Sequence, residues 1–242
     1  MAMGITAENI VKRDNISRRQ MDELALESHK KAAKARKEDK FAKSIIPVEV
    51  ERDGKSTVFD IDEGIREDTT MERLESLKPC FIKEEDGGTV TAATSSQTSD
   101  AAAFVAMMSE DMAKENNIKP IAKLIGYAVA GVDSTVMGLG PIKAVPKALK
   151  KAGLTIEDID VYELNEAFAA QVIPCIDELK LDKSKLNPYG GAMALGHPMG
   201  ATGAFLTCKA LDYLIDNNKR YALVTMCIGG GMGAAAVFER CM

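Results

Sequence analysis

Apolar residues are spaced in two different ways along this chain, and the change comes near residue 115. Before it, charged residues crowd the sequence and one long helical pattern stands out. Ser17 is followed three residues later by Gln20, as in a capping box, and Met21, Leu24, Ala25, Ala32 and Ala35 then recur at helical spacing. A long helix is therefore predicted to begin at Ser17. Residues 44–50 (SIIPVEV) and 56–62 (STVFDID) read as short strands around an Asp-Gly-Lys turn. The stretch DEGIREDTTMERLESLKPCF carries acidic loops and a short helix. The small-residue loop 89–103 (TVTAATSSQTSDAAA) is expected to run into a helix over AAAFVAMMSEDMAKEN.

From about Lys119 the pattern becomes an alternation of strands and helices. PIAKLIGYAVAGVD is strand-like, and PIKAVPKALKKAG is a helix with Pro141 at its start and Gly153 at its end. DIDVYEL reads as a short buried strand. NEAFAAQVIPCIDELK reads as a helix that Asn165 would cap and Pro174 would kink. A glycine-rich loop then leads to the apolar helix ATGAFLTCKALDYLIDNN. YALVTMCI is a strand, GGGMG a turn and AAAVFER a final strand. Such alternation indicates a layered α/β domain whose sheet is covered by helices, and the closing hairpin predicts a mixed sheet.

Composition narrows the functional classes. At 242 residues, 46% of them hydrophobic, the chain has ample material for a core in one large or two smaller domains. A net charge of −5 argues against nucleic acid as a partner, which calls for a basic face. No apolar run approaches the roughly 20 residues of a membrane span. MAMGITAENI has no signal-peptide core. The five cysteines (Cys80, Cys175, Cys208, Cys227, Cys241) are odd in number, widely spaced and without a CxxC pair, which favours a reducing compartment over a disulfide framework or zinc site. A cytoplasmic protein that holds no metal is the expectation.

Three features fall at element ends, where α/β folds place their chemistry. Asn165 stands where DVYEL passes into its helix, and a cap alone would account for it. His197 sits within NPYGGAMALGHPMGATGA, where it is either incidental to a long turn or held at a cleft edge. Cys227 ends LVTMC just before Gly229-Gly230-Gly231, either as a buried apolar thiol or as a reactive one. GGGMG is a weak nucleotide signature, because a strand rather than a helix follows it. If the terminal strands are neighbours, Asn165, His197 and Cys227 can converge on one cleft.

Taken in order, NEAFAAQ, NPYGGAMALGHPMGATG and CIGGGMGAAAVFE resemble the three signature blocks of thiolases, the acyl-CoA acetyltransferase family. MGITAEN and GTVTAATSSQTSD also resemble thiolase segments, and the SSQTSD form is closer to the degradative 3-ketoacyl-CoA branch. The likeness runs over essentially all 242 residues. It implies a layered thiolase-like α/β fold. A loop domain and the remainder of the N-terminal thiolase region would occupy residues 1–115, and a C-terminal thiolase domain with a mixed sheet residues 116–242. It also implies the chemistry: thiolytic cleavage of 3-ketoacyl-CoA to acetyl-CoA and a shortened acyl-CoA, or the reverse Claisen condensation. Coenzyme A is then a substrate, and no separate cofactor is required.

By the same resemblance, Cys227 is the acid/base at the α carbon and His197 activates the nucleophile and donates to an oxyanion. Asn165 holds a water in that oxyanion hole, and the Gly229 N–H serves a second hole. The pantetheine arm is assigned to Met3, Phe81, Ser96, Ala167 and Phe168. The sequence departs at Tyr189, where many thiolases carry a small or amide residue, which leaves acyl-chain preference open. It also lacks the family block with the nucleophilic cysteine, which thiolases carry in an N-terminal half ahead of the MGITAEN segment; the earliest cysteine here is Cys80. The expected partners are therefore acyl-CoA and CoA, together with further copies of the chain or an N-terminal thiolase half. A non-catalytic CoA-binding or regulatory protein is the alternative. A hydrolase-like enzyme using Cys227 and His197 is weaker, since no acidic residue stands in an obvious third role.

Overall fold

The computed structural model describes residues 1–241. Helix α1 (Met3–Asp14) buries Ala7, Ile10 and Val11. Helix α2 (Arg18–Lys37) starts as the capping box predicts: the Ser17 hydroxyl accepts from the Gln20 N–H, and the Gln20 side chain accepts from the Ser17 N–H. Two otherwise orphaned donors are satisfied in this way. Strands β1 (Val48–Arg52) and β2 (Lys55–Phe59) form an antiparallel hairpin across Asp53-Gly54, with every strand residue exposed. Helix α3 (Met71–Glu75) is capped by Thr70, and helix α4 (Glu110–Glu115) by Ser109.

Helix α4 corrects an expectation. The predicted helix over 101–116 forms only over its last part, and residues 101–109 are not helical. A short helix is held mainly by burying one face. Phe104 is 86% exposed and Met107 69%, so the apolar residues of this stretch have no surface to pack on. The Ser109 hydroxyl, accepting from Met112 N, then sets the start at residue 110.

The second half builds one sheet from β3 (Ala122–Gly131), β4 (Val161–Leu164), β5 (Tyr221–Ile228) and β6 (Met232–Arg240), in the order β3-β6-β5-β4. β4 and β5 are parallel and the other pairs antiparallel, so the sheet is mixed as expected. Helix α5 (Gly140–Ala152) has Pro141 in its first turn and Gly153 as its C-cap. Helix α6 (Ala169–Leu179) begins later than predicted, after Phe168. Asn165 is therefore not its cap; Gln171 reaches back to accept from the Phe168 N–H. Pro174 lies inside this helix. The glycine loop contains a short helix, α7 (Ala192–Leu195), and leads to α8 (Thr202–Asp216).

Alternation along the strands divides the core. On one face, Ala144, Val145 and Ala148 of α5 and Val172 and Ile176 of α6 cover Ala128, Leu223, Ala235 and Val237. On the other, Leu206, Ala210 and Leu214 of α8 cover Val161, Ala222 and Val224. Helices α1 and α2 pack with α6 through Ile10, Met21, Ala169 and Ala170. No helix among the described residues is long and apolar enough to cross a membrane.

Helix α8 covers only part of its face. Beyond it Leu124, Tyr127 and Val129 of β3 are exposed, Tyr127 by 50%, together with Met232. Phe104 and Met107 are exposed as well, and clustered exposed apolar residues mark association surfaces. The 242-residue chain is accordingly expected to self-associate. Sedimentation velocity in the presence of a hydrophobic dye checks this, and a monomer that leaves the dye dark would show the face to be masked.

Candidate active site

β4 and β5 run parallel, so their C-terminal ends open onto the same edge of the sheet. The Asn165 N–H continues the ladder to Thr225 C=O at 3.0 Å, which fixes Asn165 beside the last residues of β5. Cys227 is the penultimate residue of β5 and pairs with Gly233 of β6. His197 comes to the same edge from the glycine loop, and its N–H donates to Gln97 C=O at 3.2 Å. The Asn165 amide Nδ2 lies 3.4 Å from His197 Nε2, and His197 Nδ1 lies 2.6 Å from the Thr202 hydroxyl.

With the amide nitrogen facing Nε2, Nε2 accepts, and the ring proton on Nδ1 is given to Thr202. Asn165 Oδ1 is then buried without a partner among the described residues. Turning the amide over puts Oδ1 against an Nε2–H, and the Thr202 hydroxyl donates to Nδ1 instead. Either arrangement holds a neutral ring, because threonine can donate or accept. Burial lowers the His197 pKa from its ordinary value, in the same direction. Burial also pushes the Cys227 thiol up to about 11, so it carries its proton at neutral pH. Gly229 follows β5 in the turn, and a side chain there would meet nothing within 4 Å.

The remaining expected residues form a strip beside this edge. The Ser96 N–H donates to Ala167 C=O at 2.9 Å, and Ser95 bridges to Phe168. Phe168 meets Phe81 edge-to-face with centroids 5.9 Å apart. Phe81 in turn lies over Gly4, next to the exposed Met3. Phe81 is exposed rather than part of the core, which leaves its ring available to a ligand. The structure thus joins Asn165 to His197, Ser96 to Ala167, and Phe81 to Phe168 and the start of α1.

Thr202 is a partner that the motif reading passed over, although it stands five residues after His197, at the start of α8. Glu163, Glu166 and Lys209 were also missed. All three are buried polar residues. For Lys209 there was a signal: it follows Leu206 by three residues, on the face that α8 turns inward. Among the described residues no cluster of side chains has the makings of a metal site.

Comparison with known proteins gives a consistent result. Residues 118–240 match the family described as thiolase, C-terminal domain, and residues 1–111 the family described as thiolase, N-terminal domain. A beta-ketothiolase of Cupriavidus necator is 50% identical over 98% of this chain and 60% of its own length. A 3-ketoacyl-CoA thiolase of Bacillus subtilis is 48% identical over 100% of this chain and 63% of its own. The crystal structure of the Bacillus anthracis acetyl-CoA acetyltransferase superposes with a TM-score of 0.96 at 42% identity, covering 100% of this chain and 60% of that one. Human mitochondrial 3-ketoacyl-CoA thiolase in complex with CoA gives 0.90 at 39%, covering 100% and 59%. The chain spans about three fifths of the length of these relatives.

Proposed function

Because the chain belongs to the thiolase family, we propose that it supplies the acid/base half of a thiolase site. Its substrates are acyl-CoA and CoA, and its reaction is cleavage of 3-ketoacyl-CoA to acetyl-CoA and a shortened acyl-CoA, or the reverse condensation. The observation that carries this reading is the Asn165–His197 pair, 3.4 Å apart, at the sheet edge where the β5 strand delivers Cys227.

In the cleavage direction a cysteine thiolate attacks the 3-keto carbon. The bond between the α and β carbons breaks, and its electron pair leaves as the enolate of acetyl-CoA. Cys227, protonated at neutral pH, gives its proton to that enolate. The acyl group left on the nucleophile passes to CoA and departs as acyl-CoA. His197, neutral and anchored by Thr202, takes the proton from the attacking thiol and then donates to the oxyanion formed on the thioester or ketone. Asn165, whose buried Oδ1 has no partner among the described residues, holds a water in the same hole. The Gly229 N–H serves the second hole. Met3, Phe81, Ser96, Ala167 and Phe168 line the pantetheine arm. No cofactor is required, since CoA is itself a substrate. The five free cysteines fit a reducing, cytoplasmic setting.

The nucleophile is the part that these residues do not supply. Cys80 is exposed, Cys175 is buried in α6, Cys208 lies on α8 and Cys241 follows β6, so none matches the family's nucleophile block. The purified 242-residue chain should therefore leave acetoacetyl-CoA uncleaved and take up no acetyl group from acetyl-CoA. Joined by an N-terminal thiolase half, it should turn over on the order of 10 per second. Turnover of that size by the chain alone would contradict the proposed division. Failure of the joined halves to turn over, although each binds the other, would overturn the catalytic reading.

A further inference from the structure

Two carboxylates stand three residues apart around the end of β4. Glu163 is 0% exposed and Glu166 is nearly as buried. Carboxylates are rarely buried unless they are paired, because desolvation of the charge is expensive. All their partners lie on the glycine loop, α2 and α8. Glu166 Oε2 accepts from the Ser28 hydroxyl at 2.6 Å, and Oε1 accepts from Asn187 Nδ2 at 2.8 Å; the Met193 N–H points at the same carboxylate from 3.4 Å. The Ser28 oxygen also accepts from the Gly191 N–H at 3.0 Å.

Asn187 closes the arrangement from the other side. Its side chain accepts from Leu164 N at 3.0 Å and donates to Leu164 O at 2.9 Å, adding a rung to the free edge of β4. Glycine is required in this loop by close approach. A Cβ on Gly191 would come within 2.0 Å of the Glu166 carboxyl carbon, and one on Gly190 within 2.6 Å of Ala32 in α2. The loop is thereby fixed at 187, 191 and 193, and α7 carries it directly from there to Gly196 and His197.

We propose that Glu166 is a positioning residue for His197: its buried carboxylate ties the glycine loop to α2 and to the end of β4, and so holds the imidazole against Asn165. Asn165 and Glu166 are adjacent. One touches the imidazole and the other fixes the loop that brings it, so both sides of the 3.4 Å contact are set from one pivot. Ser28 extends the tie to α2. The charged neighbours of this carboxylate are Glu163 and Lys209, which themselves form a buried pair at 2.9 Å. The inference rests on reading His197 as an active group, but its test does not use turnover, so the two can fail separately.

The chain has only two histidines, His29 and His197. Carbethoxylation by diethyl pyrocarbonate, followed peptide by peptide with mass spectrometry across about pH 5 to 8, therefore reports on both. His29 is 4% exposed and its Nδ1 accepts from the Arg66 N–H, so its slow modification reports whether a variant stays folded. Glu166→Gln keeps the volume but sets an amide N–H against Asn187 Nδ2 or against Ser28 and Met193 N, so at least one donor loses its acceptor. Carbethoxylation of His197 should then quicken about ten- to a hundredfold, the scale of one lost charged hydrogen bond. Its pH midpoint should rise toward the ordinary histidine value, with His29 unchanged. A folded Glu166→Gln chain with the parent rate and midpoint at His197 would overturn the proposal. If that variant does not fold, Ser28→Ala decides, since it keeps the carboxylate and removes one tie. It should quicken His197 about tenfold, and an unchanged rate would equally overturn the proposal.

Discussion

Replacing Lys209 with methionine is expected to destabilise the fold by about 3–5 kcal/mol, the usual result of breaking a buried ion pair from one side. Lys209 is 3% exposed and Glu163 0%, and the lysine Nζ donates to Glu163 Oε2 at 2.9 Å and to Gly190 C=O at 2.5 Å. Methionine fills much of the space but leaves a buried carboxylate, whose Oε1 already has no partner among the described residues, without a counter-charge. Burial raises the Glu163 pKa and Lys209 opposes the rise, so the variant's carboxyl would titrate higher still. A raised carboxyl pKa means that the folded state holds more protons than the unfolded one. The deficit is therefore largest at neutral pH and shrinks as the pH falls toward the ordinary glutamate value of about 4.3. Adding Glu163→Leu removes the stranded charge and places an aliphatic side chain against Leu206 and Ala210 of α8. The double variant should recover most of the loss. Urea unfolding at two pH values checks both claims, and equal instability of single and double variants would mean that the pair is not the cause.

The second large effect concerns Cys227. In the enzyme completed with its nucleophile, Cys227→Ala should slow proton exchange at the acetyl-CoA methyl group and condensation by about 10²–10⁴-fold, the range of a lost general acid/base. Formation of the acyl-enzyme should proceed nearly as before. His197→Ala should show the reverse emphasis, slowing acylation itself. The reason lies in where each group sits. His197 lies beside Asn165, where the proposed reading puts the incoming thioester, whereas Cys227 stands at the end of β5 with a thiol that burial pushes up to about 11. Rapid-quench acylation and deuterium exchange, run on both variants, separate the steps. Equal loss of both steps in both variants would refute the division of labour.

Much of the fold was written in local signals. Ser17 and Gln20 mark the start of α2, Pro141 and Gly153 bracket α5, and YALVTMCI spans β5 residue for residue. These features depend on capping, proline geometry and apolar runs, which act over a few neighbouring residues. The helix expected over 101–116 failed because apolar content predicts burial only where a partner surface exists. Asn165 resembled a cap by residue type, but the extended backbone at Phe168 delays the start of α6 by three residues. At the site, Asn165, His197 and Cys227 were visible as polar or reactive residues at element ends. Their supports were not. Glu163 and Lys209 are 46 positions apart, and Ser28 and Glu166 are 138 apart, so no local pattern could pair them. VYEL was legible as a buried strand, but the strand alone does not show which cation its buried glutamate would meet.

The Ser28–Glu166 tie also bears on the order in which the molecule can assemble. It closes a loop of 138 residues, and contacts so distant along the chain form late, after the entropy of that closure has been met. The sheet can form from residues 122–240 through its own neighbours, but the glycine loop acquires its shape only when α2 docks and offers Ser28 to Glu166 and Gly191. Until then the imidazole has no fixed address. The join between the two matched family segments is thus crossed by a buried tie, and the earlier segment is expected to act as a template on which the later one finishes folding the loop that carries His197.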